Sequence, residues 1–302
     1  HSDNKGHTIL MMAASYGHTE TVTYLIEAGA AINYADNKGQ TALMQADKEG
    51  HKEIVKLLES KILLEAMKAD SVTEEHQSII QNAKADSIDQ SGGTWLMIAA
   101  SYGYIETAKC LIEAGAVVNH IDNDGWTALI WAAHYGQVET VALLIKAGAK
   151  LNHVNNDGVT ALMEAASHGH TETVQCLIKK GDFVNYANSA GETALIWAAS
   201  CECTETVECL IREGATVNHA DNDGWTALMH AAQDGCTEIV KLLIKAGAKV
   251  ELTDKFGDTA LLKAAEEGHT EIVQFFIQIG VPVNDANEHG ETSLLLASQE
   301  VI

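Results

Sequence analysis

The chain has 302 residues, 46% of them apolar, and its 19 Lys and Arg stand against 42 Asp and Glu for a net charge of −23. Such a surface repels phosphate backbones and anionic lipid, which excludes nucleic acid and membrane as main partners and favours a basic or neutral one. No run is apolar for long enough to cross a bilayer, and six cysteines without a paired framework suit a reducing, cytoplasmic compartment.

No signal-peptide pattern opens the chain, and His1-Ser2 reads as a cloning remnant, so a longer parent protein is expected. The first predicted element is a turn at Gly6, within the pattern Gly-x-Thr-x-Leu. The pattern returns at Gly39, Gly92, Gly125, Gly158, Gly191, Gly224, Gly257 and Gly290. Seven of these eight steps are 33 residues long and one is 53. A fixed beat marks an array of small units, none able to bury its apolar face alone. Residues 1–59 read as units 1 and 2, 60–88 as a helical insertion, and 89–302 as units 3 to 9, the last truncated.

Unit 2 has Ile62 where the others carry a helix-stopping glycine, so its second helix is expected to run on through Leu63, Leu64, Ala66 and Met67. Ser71-Val72-Thr73-Glu74 then reads as a capping box opening a further helix through Ile79, Ile80 and Ala83. Asp89-Gln90-Ser91-Gly92 restores the turn. The insertion is expected to pack on the outer helices. The alternative is a hinge or docking element.

The unit beginning at Asp122 is typical. Asp122-Asn123-Asp124-Gly125 is a turn, Thr127 offers an N-cap hydroxyl, and Ala128 to His134 forms a short helix. Gly136 breaks it. Glu139 to Lys146 forms a second helix with Val141, Leu144 and Ile145 at helical spacing, stopped by Gly148. Two short antiparallel helices and a turn repeat every 33 residues. The last unit would leave Leu294, Leu295 and Leu296 without a covering neighbour, so end-to-end self-association is weighed beside a monomer.

The spelling Thr-Ala-Leu-[Met/Ile]-x-Ala-Ala resembles the ankyrin repeat family, where Thr-Pro-Leu-His-x-Ala-Ala is usual. Gly169-His170-Thr171-Glu172-Thr173-Val174 and Gly247-Ala248 match its later motifs. The departures are the lost motif proline (Pro282 is the sole proline) and the lost motif histidine. The resemblance implies an all-α repeat solenoid of helix-turn-helix units with β-turn or hairpin tips. It is similar to long arrays of intracellular bacteria and protists, which implies an effector-like parent, acting in host cytosol if secreted. It also implies a concave groove lined by one side of each first helix and by the turn tips.

Helical geometry gives that side. Leu129, Ala132 and Ala133 share the core face, whereas Trp131, His134 and Tyr135 point away from it. Along the array the same positions supply Tyr102, Trp131, Tyr135, Glu164, His168 and Trp197 as candidate partner-binding residues. Asp234 and Glu267 follow, and the position after the turn glycine adds Trp126, Glu192, Trp225 and Asp258. Each tryptophan either packs on the neighbouring unit or forms part of a platform for an extended partner segment. Acidic neighbours would then meet its Arg and Lys.

Cys201, Cys203, Cys236, His170 and His269 look like a metal set. Equivalent positions of stacked units lie about 8–10 Å apart, too far for one Zn²⁺, so no metal is expected. His120, His153 and His219 are read as surface polar residues. There is no phosphate loop, Ser/His/Asp order or His-Glu-x-x-His helix, so neither an enzyme nor a cofactor is expected. The expected function is a protein-interaction module for a basic or mixed basic-apolar segment. The alternative is a structural spacer for a catalytic domain elsewhere.

Overall fold

The structure, a computed structural model, describes residues 2–68, 73–82, 91–284, 287, 289–290 and 292. Ser71, Val72, Ala83, Asp89, Gln90 and the last helix from Ser293 lie outside the described residues. The early helices are α1 (Ile9–Ser15), α2 (Thr19–Glu27), α3 (Ala42–Lys48), α4 (Lys52–Lys68), α5 (Glu74–Asn82), α6 (Trp95–Tyr102) and α7 (Ile105–Glu113). Then come α8 (Ala128–His134), α9 (Val138–Lys146), α10 (Ala161–Ser167), α11 (Thr171–Lys179) and α12 (Ala194–Ser200). The array continues with α13 (Thr204–Arg212), α14 (Ala227–Gln233), α15 (Thr237–Lys245), α16 (Ala260–Glu266) and α17 (Thr270–Gln278). The chain divides into two compact units, one holding residues 1–90, 94–99 and 104–117, the other 91–93, 100–103 and 118–302.

In the first compact unit α1 packs on α2 and α3, and α4 on α2, α3 and α5. Ile62 lets α4 run for 17 residues, because no glycine is there to reverse the chain. Ile54, Leu58, Ile62 and Ala66, each four apart, lie on its buried stripe. The start of α5 differs from expectation. Thr73 is the cap: its Oγ1 accepts from His76 N at 3.3 Å, while His76 Nδ1 accepts from Thr73 N at 3.1 Å. An imidazole three residues on therefore closes the box, two positions later than the Ser71 to Glu74 reading.

In the second compact unit the first helices α8, α10, α12, α14 and α16 stack in sequence as one layer. The second helices α9, α11, α13, α15 and α17 form the other. Between them lies a ladder of fully buried Leu144, Leu177, Leu210, Leu243 and Phe276. Paired alanines such as Ala132-Ala133 and Ala165-Ala166 are fully buried too, and their small side chains let neighbouring helices approach closely. Each first helix opens on a threonine: the Oγ1 atoms of Thr127, Thr160 and Thr193 accept backbone N–H bonds at 3.3, 3.2 and 3.4 Å.

The turns are held from inside. Asp122 Oδ1 accepts from Asp124 N and Trp126 N at 3.0 and 2.8 Å, and Asn155, Asn188, Asp221 and Asp254 repeat this. Isolated antiparallel bridges join Ala187 to Thr193 and Ala220 to Thr226 at the tips. The histidine ladder is half-exposed and also ties neighbouring turns together. His120, His153 and His219 reach back with Nε2 to the carbonyl oxygens of Gly92, Gly125 and Gly191 at 3.2, 2.9 and 2.8 Å. A carbonyl only accepts, so each of these nitrogens carries hydrogen.

Gly136 shows why the interhelix position is glycine. Its φ is 70°, and a Cβ there would lie 2.6 Å from Nδ1 of His170 in the next unit. At the equivalent position Glu202 adopts φ 60°, the only non-glycine residue at positive φ among the described residues. The side chain 34 positions later, which is histidine after Gly136 and Gly235, is there the smaller Cys236.

One core position is costly. Ala116, Ala149, Ala215 and Ala248 recur at one place in the unit, but Asp182 occupies it after α11. Asp182 is buried, its Oδ2 has no hydrogen-bond partner, and desolvation raises its pKa from 3.8 to about 6 despite a bond from Phe183 N. The folded state therefore holds the proton more tightly than the unfolded chain. The penalty is absent below the unfolded pKa, grows between about pH 4 and 6, and is full above that window. Asp182→Ala is expected to stabilise the protein by about 1–3 kcal/mol at pH 7 and by little at pH 4. Urea unfolding at the two pH values tests this. An equal gain at both would show that the carboxylate is solvated.

Candidate partner-binding face

The face begins on α8. Asp122 not only builds the turn but also accepts from Trp131 Nε1 through Oδ2 at 3.1 Å, so the turn orients the ring. Trp126 lies 4.5 Å from Trp131 between ring centroids, and Tyr135 stacks on Trp131 at 6.2 Å with 11° between planes. Ser101, Tyr102, Trp131, Tyr135 and Gln137 line a hollow of about 370 Å³. Tyr102 is 66% exposed and Tyr135 50%, whereas Trp126, Trp131, Trp197 and Trp225 are all half-buried. The tryptophans are thus neither enclosed nor fully projecting. Each has one edge packed in the array.

Next along, Glu164 is buried in α10. Its Oε2 lies 2.9 Å from His134 Nδ1 and 3.9 Å from His168 Nδ1. The His134 and His168 rings are 4.2 Å apart. Glu192 accepts from Trp197 Nε1 at 3.0 Å and from Asn188 Nδ2 at 2.9 Å. In the following unit His230 lies 4.9 Å from Trp225, and burial lowers its pKa against the opposing pull of Asp221, Asp234 and Glu192.

Lys263 closes the series. Its Nζ sits 4.6 Å from the Trp225 ring centroid, 3.0 Å from Asp254 Oδ2 and 2.8 Å from Asp258 Oδ2. Asp258 also accepts from Asn287 Nδ2 at 2.7 Å. Of the five acids expected to meet a partner, Glu164, Glu192 and Asp258 are therefore engaged within the array, and Asp234 and Glu267 are exposed. Burial raises the pKa of Asp234, with Glu202 pushing the same way and His230 opposing.

A signal for these internal pairs exists in the sequence. The acid before the capping threonine and the fourth helical residue lie five apart in both Glu192–Trp197 and Asp258–Lys263. Single-helix geometry does not pair them, because the first member stands in the turn.

The family model for ankyrin repeats, which spans three repeat copies, matches four overlapping or adjacent segments, residues 1–67, 63–155, 162–254 and 228–301. The chain belongs to the ankyrin repeat family. Ankyrin repeats generally mediate protein–protein interaction, and their fold is typically a non-catalytic scaffold. Comparison with curated proteins gave no match. Among the described residues no helix of this ankyrin array is long and apolar enough to cross a membrane.

Proposed function

We propose that the second compact unit binds an extended protein segment of mixed basic and apolar character along the face of its first helices. The hollow between Tyr102, Trp131 and Tyr135 is the observation that carries this reading. It offers aromatic faces of a size suited to one Arg, Lys or aromatic side chain. Downstream, the exposed carboxylates of Asp234 and Glu267 would meet basic residues of the same segment, and the net charge of −23 would speed its approach. Glu164, Glu192 and Asp258 act instead as internal supports that fix the rings.

The test uses peptides selected from a random display library on the whole chain. Enrichment of Arg or Lys beside apolar residues is expected, and enrichment of acidic peptides would overturn the reading. Tyr102→Ala combined with Tyr135→Ala removes two exposed rings while leaving the buried core intact. The double variant is expected to bind the selected peptides at least about tenfold more weakly. Unchanged binding by a folded double variant would remove the hollow from the interface.

A further inference from the structure

We infer that His134, Glu164 and His168 form a binding site for a divalent transition-metal ion, with Zn²⁺ the best match to the donors. One potential ligand atom from each residue lies within 4.8 Å of the other two. A tetrahedral Zn²⁺ with ligands about 2.0–2.2 Å from the metal needs them roughly 3.3 Å apart. The separations of 2.9 Å (His134 Nδ1 to Glu164 Oε2) and 3.9 Å (His168 Nδ1 to Glu164 Oε2) bracket that value. Two imidazoles and a carboxylate are the donor set that Zn²⁺ accepts with a fourth position left to solvent.

Three observations support the inference. Glu164 and His168 stand at i and i+4 of one helix end, a spacing that puts two ligands on one side. His134 comes from the end of the preceding first helix, so the ion would tie two ankyrin units together. The Glu164 side chain is only 8% exposed, and its ion-pair partners among the described residues are these two histidines. The other buried carboxylate of this face, Asp254, has a lysine as counter-charge. Only His134 hydrogen-bonds the Glu164 carboxylate, and a dication would supply a full counter-charge.

The surroundings hold the ligands in place. His168 Nδ1 also lies 2.9 Å from Ser167 Oγ and 3.0 Å from the Glu164 carbonyl oxygen, so the ion would displace the hydrogen shared with that carbonyl and leave the ring protonated at Nε2. His170 donates Nε2–H to the His134 carbonyl at 3.0 Å and stacks on His168 at 6.0 Å. The combination occurs once in the array. The place of Glu164 is held elsewhere by Met12, Gln45, Ile98, Trp131, Trp197, His230, Lys263 or Leu296. Cys203 and Cys236 repeat at equivalent positions and stay too far apart for one ion, whereas His134, Glu164 and His168 stand at different positions of neighbouring units.

The chain of residues 1–302, treated with chelator and titrated with ZnCl₂ in a calorimeter, tests the site, with Co²⁺ followed by visible absorption and by tryptophan emission. The His134 ring lies 5.4 Å from Trp126 and 6.2 Å from Trp131, so bound Co²⁺ should quench them. One Zn²⁺ per chain is expected, with quenching saturating at the same stoichiometry. Glu164→Gln and His168→Asn should each weaken binding by at least about tenfold, and His219→Asn should leave it unchanged. His168 is exposed, so its variant should fold even if Glu164→Gln does not. Absence of one-to-one binding would overturn the site. So would full affinity in His168→Asn, or an equal loss in His219→Asn.

Discussion

Replacing Lys263 with methionine is expected to cost about 3–5 kcal/mol at pH 7, because it strands the buried carboxylate of Asp254 and removes the counter-charge of half-buried Asp258. The lysine side chain is 8% exposed and that of Asp254 is 0% exposed. Methionine restores much of the packing against Trp225 but none of the charge. Burial alone would push the Asp254 pKa up. The Lys263 contact and the N–H bonds from Asp258 and Phe256 outweigh it and hold the group below its ordinary value. In the native protein this contribution is therefore present above the unfolded carboxylate pKa and lost as pH falls through the folded one. In the variant the balance reverses, since an unpaired buried carboxyl prefers its proton. The deficit should narrow on acidification from pH 7 to 5. Urea unfolding at both values measures it. A loss below about 1 kcal/mol at pH 7 would mean that water already screens the pair.

Truncating Leu177 to alanine should cost about 2–5 kcal/mol and also divide the unfolding transition. Leu177 is fully buried on α11, which packs between α9 and α13. Stability in a stacked array is a sum of unit terms and nearest-neighbour terms, so one weakened junction uncouples the two sides. Trp126 and Trp131 report on the segment before the cavity, and Trp197 and Trp225 on the segment after it. Their emission should change at separate urea concentrations in the variant. A single transition of unchanged steepness, merely shifted, would show that coupling extends beyond adjacent units.

Much of what is local to one unit was legible in the sequence. The period, the threonine caps, the glycine stops and the length of α4 all follow from residues a few positions apart. Contacts between units were harder to read. His153 looked like a solvated surface group because its carbonyl partner, Gly125, is 28 residues back. Glu164 looked available to a partner because His134, which holds it, is 30 residues back. Asp122 was read as a turn residue, which it is, while its second oxygen holds Trp131. On this face the carboxylates do two jobs, and composition alone cannot say which oxygen a partner would find.

The pairing of Glu202 with Cys236 also limits how the gene could gain or lose units. Excising residues 170–202 would bring Gly169 against Cys236, a combination the array already uses between Gly169 and Cys203. Excising 203–235, a segment of equal length, would bring Glu202 against His269, where a Cβ has no room beside the imidazole. Recombination between repeats of equal length is therefore not neutral in this protein. The phase of the crossover decides whether the shortened chain still stacks.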